Sequence, residues 1–329
     1  MKKQNKKRLS SEARRENKLG YMFLLPWLIG FVIFTALPLL YTIYLSLNNV
    51  SLSARGWEMS FVGFENYITA LLKNASFVPA LIGFVTMEVL YVPVIVIISY
   101  ILASLLNQKI KGRSIFRTIY FLPVIVLSGS VMLQLMDSGT TKMLGVEEVF
   151  IFKMISNYSE SFGDILITLF DNFSMILWFT GIPIVLFINA LQKINRQLYE
   201  AAQIDGATSW QILWKITLPI VRPIGLIITI FSIVQLGLFP INPVYTMIQE
   251  AIANTSSGLG IATAFAWIYS LIVIILIGIT FLIFKEKKEP NSKKLKKQYE
   301  RELEKLHAHQ ERESKRQKRT VKTKKKKEA

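Results

Sequence analysis

The chain has no cysteine among its 329 residues and only two histidines. The first absence excludes a disulfide framework, a thiolate metal site and a cysteine nucleophile. His307 and His309 flank a single alanine in a charged tail, away from any apolar pocket. Neither a metal site nor a Ser/His/Asp arrangement is expected from them. No Gly-x-x-x-x-Gly-Lys-Ser/Thr sequence occurs, so ATP hydrolysis by that phosphate-cradling loop is excluded. Paired carboxylates are missing from the apolar runs, which removes the basis for glycosidase chemistry. No catalytic residue and no cofactor of its own are expected.

Apolar sequence is abundant: 52% of the residues are hydrophobic, and they fall in long runs. Several runs exceed the roughly 20 residues that cross a bilayer core of about 30 Å, which predicts an integral membrane protein. The net charge of +17 would suggest nucleic acid in a soluble chain. Here the basic residues crowd into the first twenty positions, the short loops and the tail after Phe284. That distribution orients membrane helices and attracts anionic headgroups. RNA contact by the tail is the lesser reading.

Residues 1–20 form a basic segment, and the first span is expected over Tyr21 to Leu47. It is too long for a signal peptide and ends in Tyr41, Tyr44 and Asn48 rather than in small residues. A polar stretch follows, containing Phe61-Val-Gly-Phe-Glu-Asn-Tyr67. The second span runs from about Val78 to Leu106, with Pro93 as a possible kink and Glu88 well inside. A carboxylate at membrane depth costs at least about 2.5 kcal/mol on insertion scales and is read as functional by default. Three explanations stand for Glu88: it faces a translocation cavity, pairs with a partner subunit, or is protonated and packed between helices. Lys109, Lys111, Arg113 and Arg117 precede a third span that ends near Leu135. The loop 137–163 has mixed polarity, with amphipathic pieces such as Val149 to Ile155.

The fourth span is expected over Ile165 to Leu191, bent at Gly181 and Pro183. The fifth starts near Ile220 and turns irregular at Gly237-Leu-Phe-Pro-Ile-Asn-Pro243. Broken helix at membrane depth survives only where it is buried in protein or lines a wet cavity. Gln235, Asn242 and Tyr245 are therefore candidates for a substrate path, against the plainer reading of a helix that ends early. The sixth span covers Leu259 to Phe284. Trp267 and Tyr269 suit sugar faces and ordinary core packing equally well. Basic residues cluster at the start and after the second, fourth and sixth spans. Alternating sides then gives six helices with both termini cytoplasmic.

One soluble-looking segment, Leu198 to Pro223, interrupts the apolar sequence. Tyr199 to Ile204 is helix-competent, and Gly206 supplies the left-handed residue that closes a helix. Thr208 and Gln211 stand at capping-box spacing and start a second short helix, striped by Ile212, Leu213 and Ile216. Pro219 and Pro223 are expected to keep that helix from running unbroken into the fifth span. Glu200-Ala201-Ala202, Asp205-Gly206-Ala207, Leu218-Pro219 and Pro223 together resemble the Glu-Ala-Ala loop of membrane subunits in binding-protein-dependent ABC importers. Leu213 departs mildly, since the family often has phenylalanine there. The Gly63-to-Tyr67 phrase and Phe116-Arg-Thr-Ile-Tyr-Phe-Leu-Pro123 are similar to the maltose and glycerol-phosphate branch, which serves carbohydrates.

The resemblance implies an all-α membrane protein with the six-helix permease fold over 21–284, a cytoplasmic docking loop at 193–219 and a basic tail at 285–329. It implies a prokaryotic cell-membrane location and three kinds of partner: an ABC ATPase dimer that binds ATP and Mg, a second, non-identical permease, and an extracytoplasmic solute-binding protein delivering a sugar. Glu200 and Asp205 would offer charge to the ATPase, and Ala201, Ala202 and Ala207 close approach. Gly206 would set the turn, and Leu218 and Pro219 would anchor the second helix. Gly206→Asp, by adding bulk at that turn, is expected to uncouple ATP hydrolysis from uptake. The alternatives are an ABC permease for another small polar solute, a secondary transporter, which lacks support from internal repeats or charge relays, and a membrane-anchored scaffold using the basic tail.

Overall fold

The structure is a computed structural model that describes residues 11–53, 56–108, 146–254 and 258–285, with isolated positions 118, 131, 134, 135, 138 and 139. The third span, the basic cluster before it and the tail beyond Lys285 lie outside the described residues.

The first apolar run forms α1 (Ser11–Phe31), a π-helical turn (Val32–Ala36) and α2 (Leu37–Ser46), read as one crossing over Leu19–Ser46. Pro38 stands in the first turn after the wide turn. Proline lacks an N–H and its ring collides with the carbonyl four residues back; an i→i+5 turn removes both demands. The polar stretch that follows is not irregular. It folds as an antiparallel hairpin of β1 (Asn48–Ser53) and β2 (Gly56–Phe61), with Val50 opposite Met59. The all-α expectation is corrected to that extent. Alternating, β-favouring residues, Val50, Trp57, Met59 and Phe61, put one apolar row on a single hairpin face.

The hairpin closes onto α3 (Glu65–Ile68), which opens at the Gly63-to-Tyr67 phrase. Gly63 takes φ +60°. Asn66 donates from Nδ2 to the carbonyls of Ser46 and Asn48, both at 2.9 Å, and the Tyr67 and Ser46 hydroxyls meet at 2.8 Å. The phrase thus satisfies carbonyls that the end of α2 leaves open.

A long helix, α4 (Phe77–Asn107), carries the second run straight through Pro93. The next described region is a two-helix hairpin, α5 (Phe150–Tyr158) and α6 (Glu160–Asp171), crossing closely where Gly163 meets Ser156. The fourth run is segmented into the end of α6, α7 (Phe173–Phe179) and α8 (Gly181–Gln192). Its bend of 62° falls between α6 and α7, and a second interruption at Thr180 stands just before Gly181. Asn172 donates back to the Thr168 carbonyl at 2.8 Å, and such a local bond competes with helix continuation.

Next come α9 (Arg196–Ile204), α10 (Ser209–Ile212), a second π turn (Leu213–Thr217) and α11 (Leu218–Gly237). The last two helices are α12 (Pro243–Ala253) and α13 (Gly258–Phe284). Four helices are long and apolar enough to cross a membrane, and the bent α6–α7 pair brings the number to five among the described residues.

Three apolar clusters hold these helices together. One joins Tyr91 and Ile95 of α4 to Met175, Ile176 and Phe179 of α7 and Leu236 of α11. A second joins Ala103 and Leu106 to α8 and to Val221 and Ile228. The third packs Phe77, Leu81 and Phe84 against Val244, Phe265 and Tyr269, with Phe77 stacked on Phe265 at 4.2 Å.

Candidate functional site: the helical knuckle and the polar end of α11

The segment 195–219 is built from its own hydrogen bonds. Asn195 caps α9 by accepting from the Gln197 amide at 3.0 Å. At the other end Gly206 takes φ +75°. Its amide donates to the Gln203 carbonyl at 3.1 Å, and the Ala207 amide reaches the Ala202 carbonyl at 2.9 Å. This pair of bonds is the Schellman closure that a left-handed glycine permits. Two residues on, Thr208 and Gln211 make both halves of the expected capping box, at 2.9 and 3.3 Å.

Pro219 and Pro223 do not separate α10 from the fifth span, contrary to expectation. The helix runs unbroken over Ser209–Gly237. Leu213–Thr217 widens into a π turn, the Leu218 amide bonds to the Leu213 carbonyl, and Pro219 falls in the first turn of α11 where no N–H is needed. The knuckle is also tied sideways. The Tyr199 and Thr217 hydroxyls meet at 3.2 Å, while Tyr199 and Leu218 pack against the cluster of α4, α8 and α11.

These contacts sort the sequence candidates. Glu200, Ala201, Asp205, Gly206 and Pro219 are exposed, and Ala207 and Leu218 are half-buried. Ala202 is buried against its own chain. Its small side chain lets α9 lie on the bundle, so of that alanine pair only Ala201 is left for close approach from outside. A Cβ on Gly206 would meet nothing within 4 Å. The bulk argument for Gly206→Asp therefore does not apply within this chain, and the backbone angle is what the glycine serves.

The sequence pattern did not single out the most exposed apolar groups of the knuckle. Ile204 is 86% exposed and Trp210 67%, with Trp214 edge-on to Trp210 at 5.5 Å. The spacing 210/214 on a helix whose core face is Leu213 and Thr217 is the signal that could have found them.

The second group of candidates lies where α11 ends. Asn242 is fully buried and N-caps α12, accepting from the Val244 amide at 3.0 Å. Its Nδ2 donates to the Gly237 carbonyl at 2.7 Å and the Tyr269 hydroxyl at 3.1 Å, and that hydroxyl donates to the same carbonyl at 2.8 Å. The irregular 238–242 link is thus sealed by its own polar groups. Tyr269 is spent on that seal and on an edge contact with Phe84, and Trp267 donates to the Thr42 hydroxyl of α2 at 3.3 Å. Both aromatics serve packing between helices.

Glu88 differs. It is 3% exposed, and neither carboxyl oxygen has a hydrogen-bond partner among the described residues. One oxygen sits 3.7 Å from where a Cβ on Gly237 would lie. On the α11 turns just before that glycine, Ser232 Oγ and Gln235 Oε1 are likewise buried without a partner among the described residues. Tyr245 is half-buried on the first turn of α12. The geometry therefore joins Glu88 to the end of α11 and assigns Asn242 to the scaffold.

No family profile matches the chain. Individual relatives do. The lactose transport system permease protein LacF of Rhizobium radiobacter is 31% identical over 234 residues, covering 68% of this chain and 74% of the relative. The chain belongs to the carbohydrate-type permeases of ABC importers. The arabinooligosaccharides permease protein AraP of Halalkalibacterium halodurans is 28% identical over 303 residues, 83% of this permease and 89% of its own length. Among solved structures, a chain of a bacterial alginate ABC transporter, in complex with an alginate pentasaccharide-bound periplasmic protein, matches the fold with a TM-score of 0.59. It is 23% identical and covers 81% of this permease and 93% of its own length. The permease is a multi-pass membrane protein and the transmembrane subunit of a binding-protein-dependent importer.

Proposed function

We propose that the permease imports a sugar or oligosaccharide handed to it by an extracytoplasmic solute-binding protein. In this reading six helices cross the cell membrane of a prokaryote, with both termini in the cytoplasm. A second, non-identical permease completes the path. ATP and Mg are bound by a separate ATPase dimer, because this chain lacks a phosphate-binding loop of its own.

The observation that carries the reading is the rigid connection from the knuckle into the membrane. Gly206 and the capping box fix the angle between α9 and α10, and α10 is continuous with α11 over 29 residues. At about 1.5 Å per residue that is a rod of roughly 43 Å. A partner that grips the exposed face of Glu200, Ala201, Ile204 and Asp205 would move the whole of α11. Closure of an ATP-loaded ATPase dimer would tilt α11 and expose the path on the other side, a rigid-body switch biased by nucleotide contacts. Trp210 and Trp214 would sit at the membrane–cytoplasm boundary, where aromatic side chains favour the interface. Glu88 and Gln235 would line the path, and Tyr245 would stand at its margin.

The absence of cysteine makes the test direct. A single Ala201→Cys variant in membranes holding the permease pair without its ATPase should react with a membrane-impermeant maleimide only in inside-out vesicles, and ATPase addition should protect it. Labelling from outside the cell, or no protection by any nucleotide-hydrolysing partner, would overturn the docking role.

A further inference from the structure

We infer that the permease passes neutral or amino-bearing saccharides and discriminates against acidic ones, with Glu88 as the specificity-determining residue. The inference rests on the reading of Glu88 and Gln235 as path residues and names the charge class of what passes them. Glu88 Oε1 and Oε2, Ser232 Oγ and Gln235 Oε1 are all buried without hydrogen-bond partners among the described residues. The Glu88 and Gln235 oxygens lack donors, and the Ser232 hydroxyl lacks a partner of either kind. Buried polar atoms are normally satisfied, and these are left open on two neighbouring helices, with the Glu88 carboxyl against Gly237 of α11. A ligand that completes them must bring O–H or N–H groups.

Saccharide hydroxyls bring donors, and an ammonium brings three together with a favourable charge. A uronate carboxylate brings none at the charged end and faces Glu88 as a second acid.

Counter-charge is also missing from the apolar stretches of the chain. Residues 19–54, 74–108, 118–141, 154–192 and 223–284 contain no lysine, arginine or histidine. Arg222, just before the last of these stretches, donates to the Ile283 carbonyl at 3.0 Å near the far end of α13. An acidic sugar at the depth of Glu88 would meet no cation from those stretches.

The test uses the complete transporter in cells, compared with cells lacking it. Both are fed one mixed pool of short oligosaccharides containing neutral, glucosamine-bearing and uronate-bearing members. Imported species are identified by mass spectrometry for wild type, Glu88→Gln and Ser232→Ala. All forms share one binding protein, so a changed ratio between imported classes arises in the membrane.

The expected result is import of neutral and amino members only, with Glu88→Gln lowering the amino-to-neutral ratio about tenfold, the size of one charge-assisted hydrogen bond. Ser232→Ala should lower total import and leave that ratio unchanged. Import of uronate members by wild type overturns the inference, as does an unchanged amino-to-neutral ratio in an active Glu88→Gln variant; both leave the sugar-import reading standing. No transporter-dependent import of any class overturns the sugar-import reading itself.

Discussion

Replacing Gly206 by valine isolates one physical term. The wild-type residue holds φ +75°, and a Cβ there meets nothing within 4 Å, so no steric clash accompanies the change. What remains is the backbone cost of placing an L-residue in the left-handed region, about 1–2 kcal/mol, with a β-branched side chain at the upper end. That cost lowers the population of the native turn by about 5- to 30-fold relative to competing geometries. Asn195 still caps the start of α9 and the Thr208–Gln211 box the start of α10, so both helices should persist while the angle between them is lost. In proteoliposomes holding the complete transporter, the number of ATP molecules hydrolysed per solute imported should rise by a comparable factor. Gly206→Asn is the control, because asparagine enters the left-handed region readily, and it should couple nearly as wild type. Hydrogen exchange at the Ala207 amide, which closes on Ala202, should quicken in the valine variant alone. Equal coupling by both variants would refute the claim that backbone angle is what the glycine provides.

Three further outcomes follow from the packing. Glu88→Leu removes two unpartnered buried oxygens and should raise the stability of the detergent-solubilised permease by about 1–3 kcal/mol while reducing uptake; a lower melting temperature would reveal a partner for the carboxyl. Asn242→Ala loses the cap on Val244 and two donated bonds, which should cost about 2 kcal/mol in thermal melting and shift the 238–242 link. Gly260→Val would drive a side chain into the Asn48 carbonyl and the Asn66 amide, so folded yield should collapse, whereas Gly278→Val, with open space around it, should be recovered like wild type.

The knuckle was the most legible part of the sequence because its determinants are local. Gly206, the Thr208–Gln211 pair and the end of α9 each act within a few residues, and no distant contact competes with them. The spans were legible for the same reason: the apolar run expected over 78–106 is α4, and the one expected over 259–284 is α13. What escaped depended on partners far along the chain or on rarer backbone forms. Pro219 reads as a stop only if the preceding turn is α-helical, and the π turn at Leu213–Thr217 changes that premise. The hairpin at 48–61 carries no strong turn signal and is held by Asn66, which comes later in the chain. Whether Asn242 and Tyr269 face a ligand or each other is decided by a bond spanning 27 residues, which no local pattern encodes.

The widened turn in α10–α11 has a consequence for how such a coupling rod could evolve. One extra residue within a continuous helix rotates everything beyond it by about 100° about the axis while leaving the rod intact. The direction in which Trp210 points and the direction in which Val221 points are thereby set independently. Deleting one residue from 213–217 should turn the gripping end by that same angle and return to Pro219 the conflict that the wide turn relieves: an intact motor would find nothing in register to push.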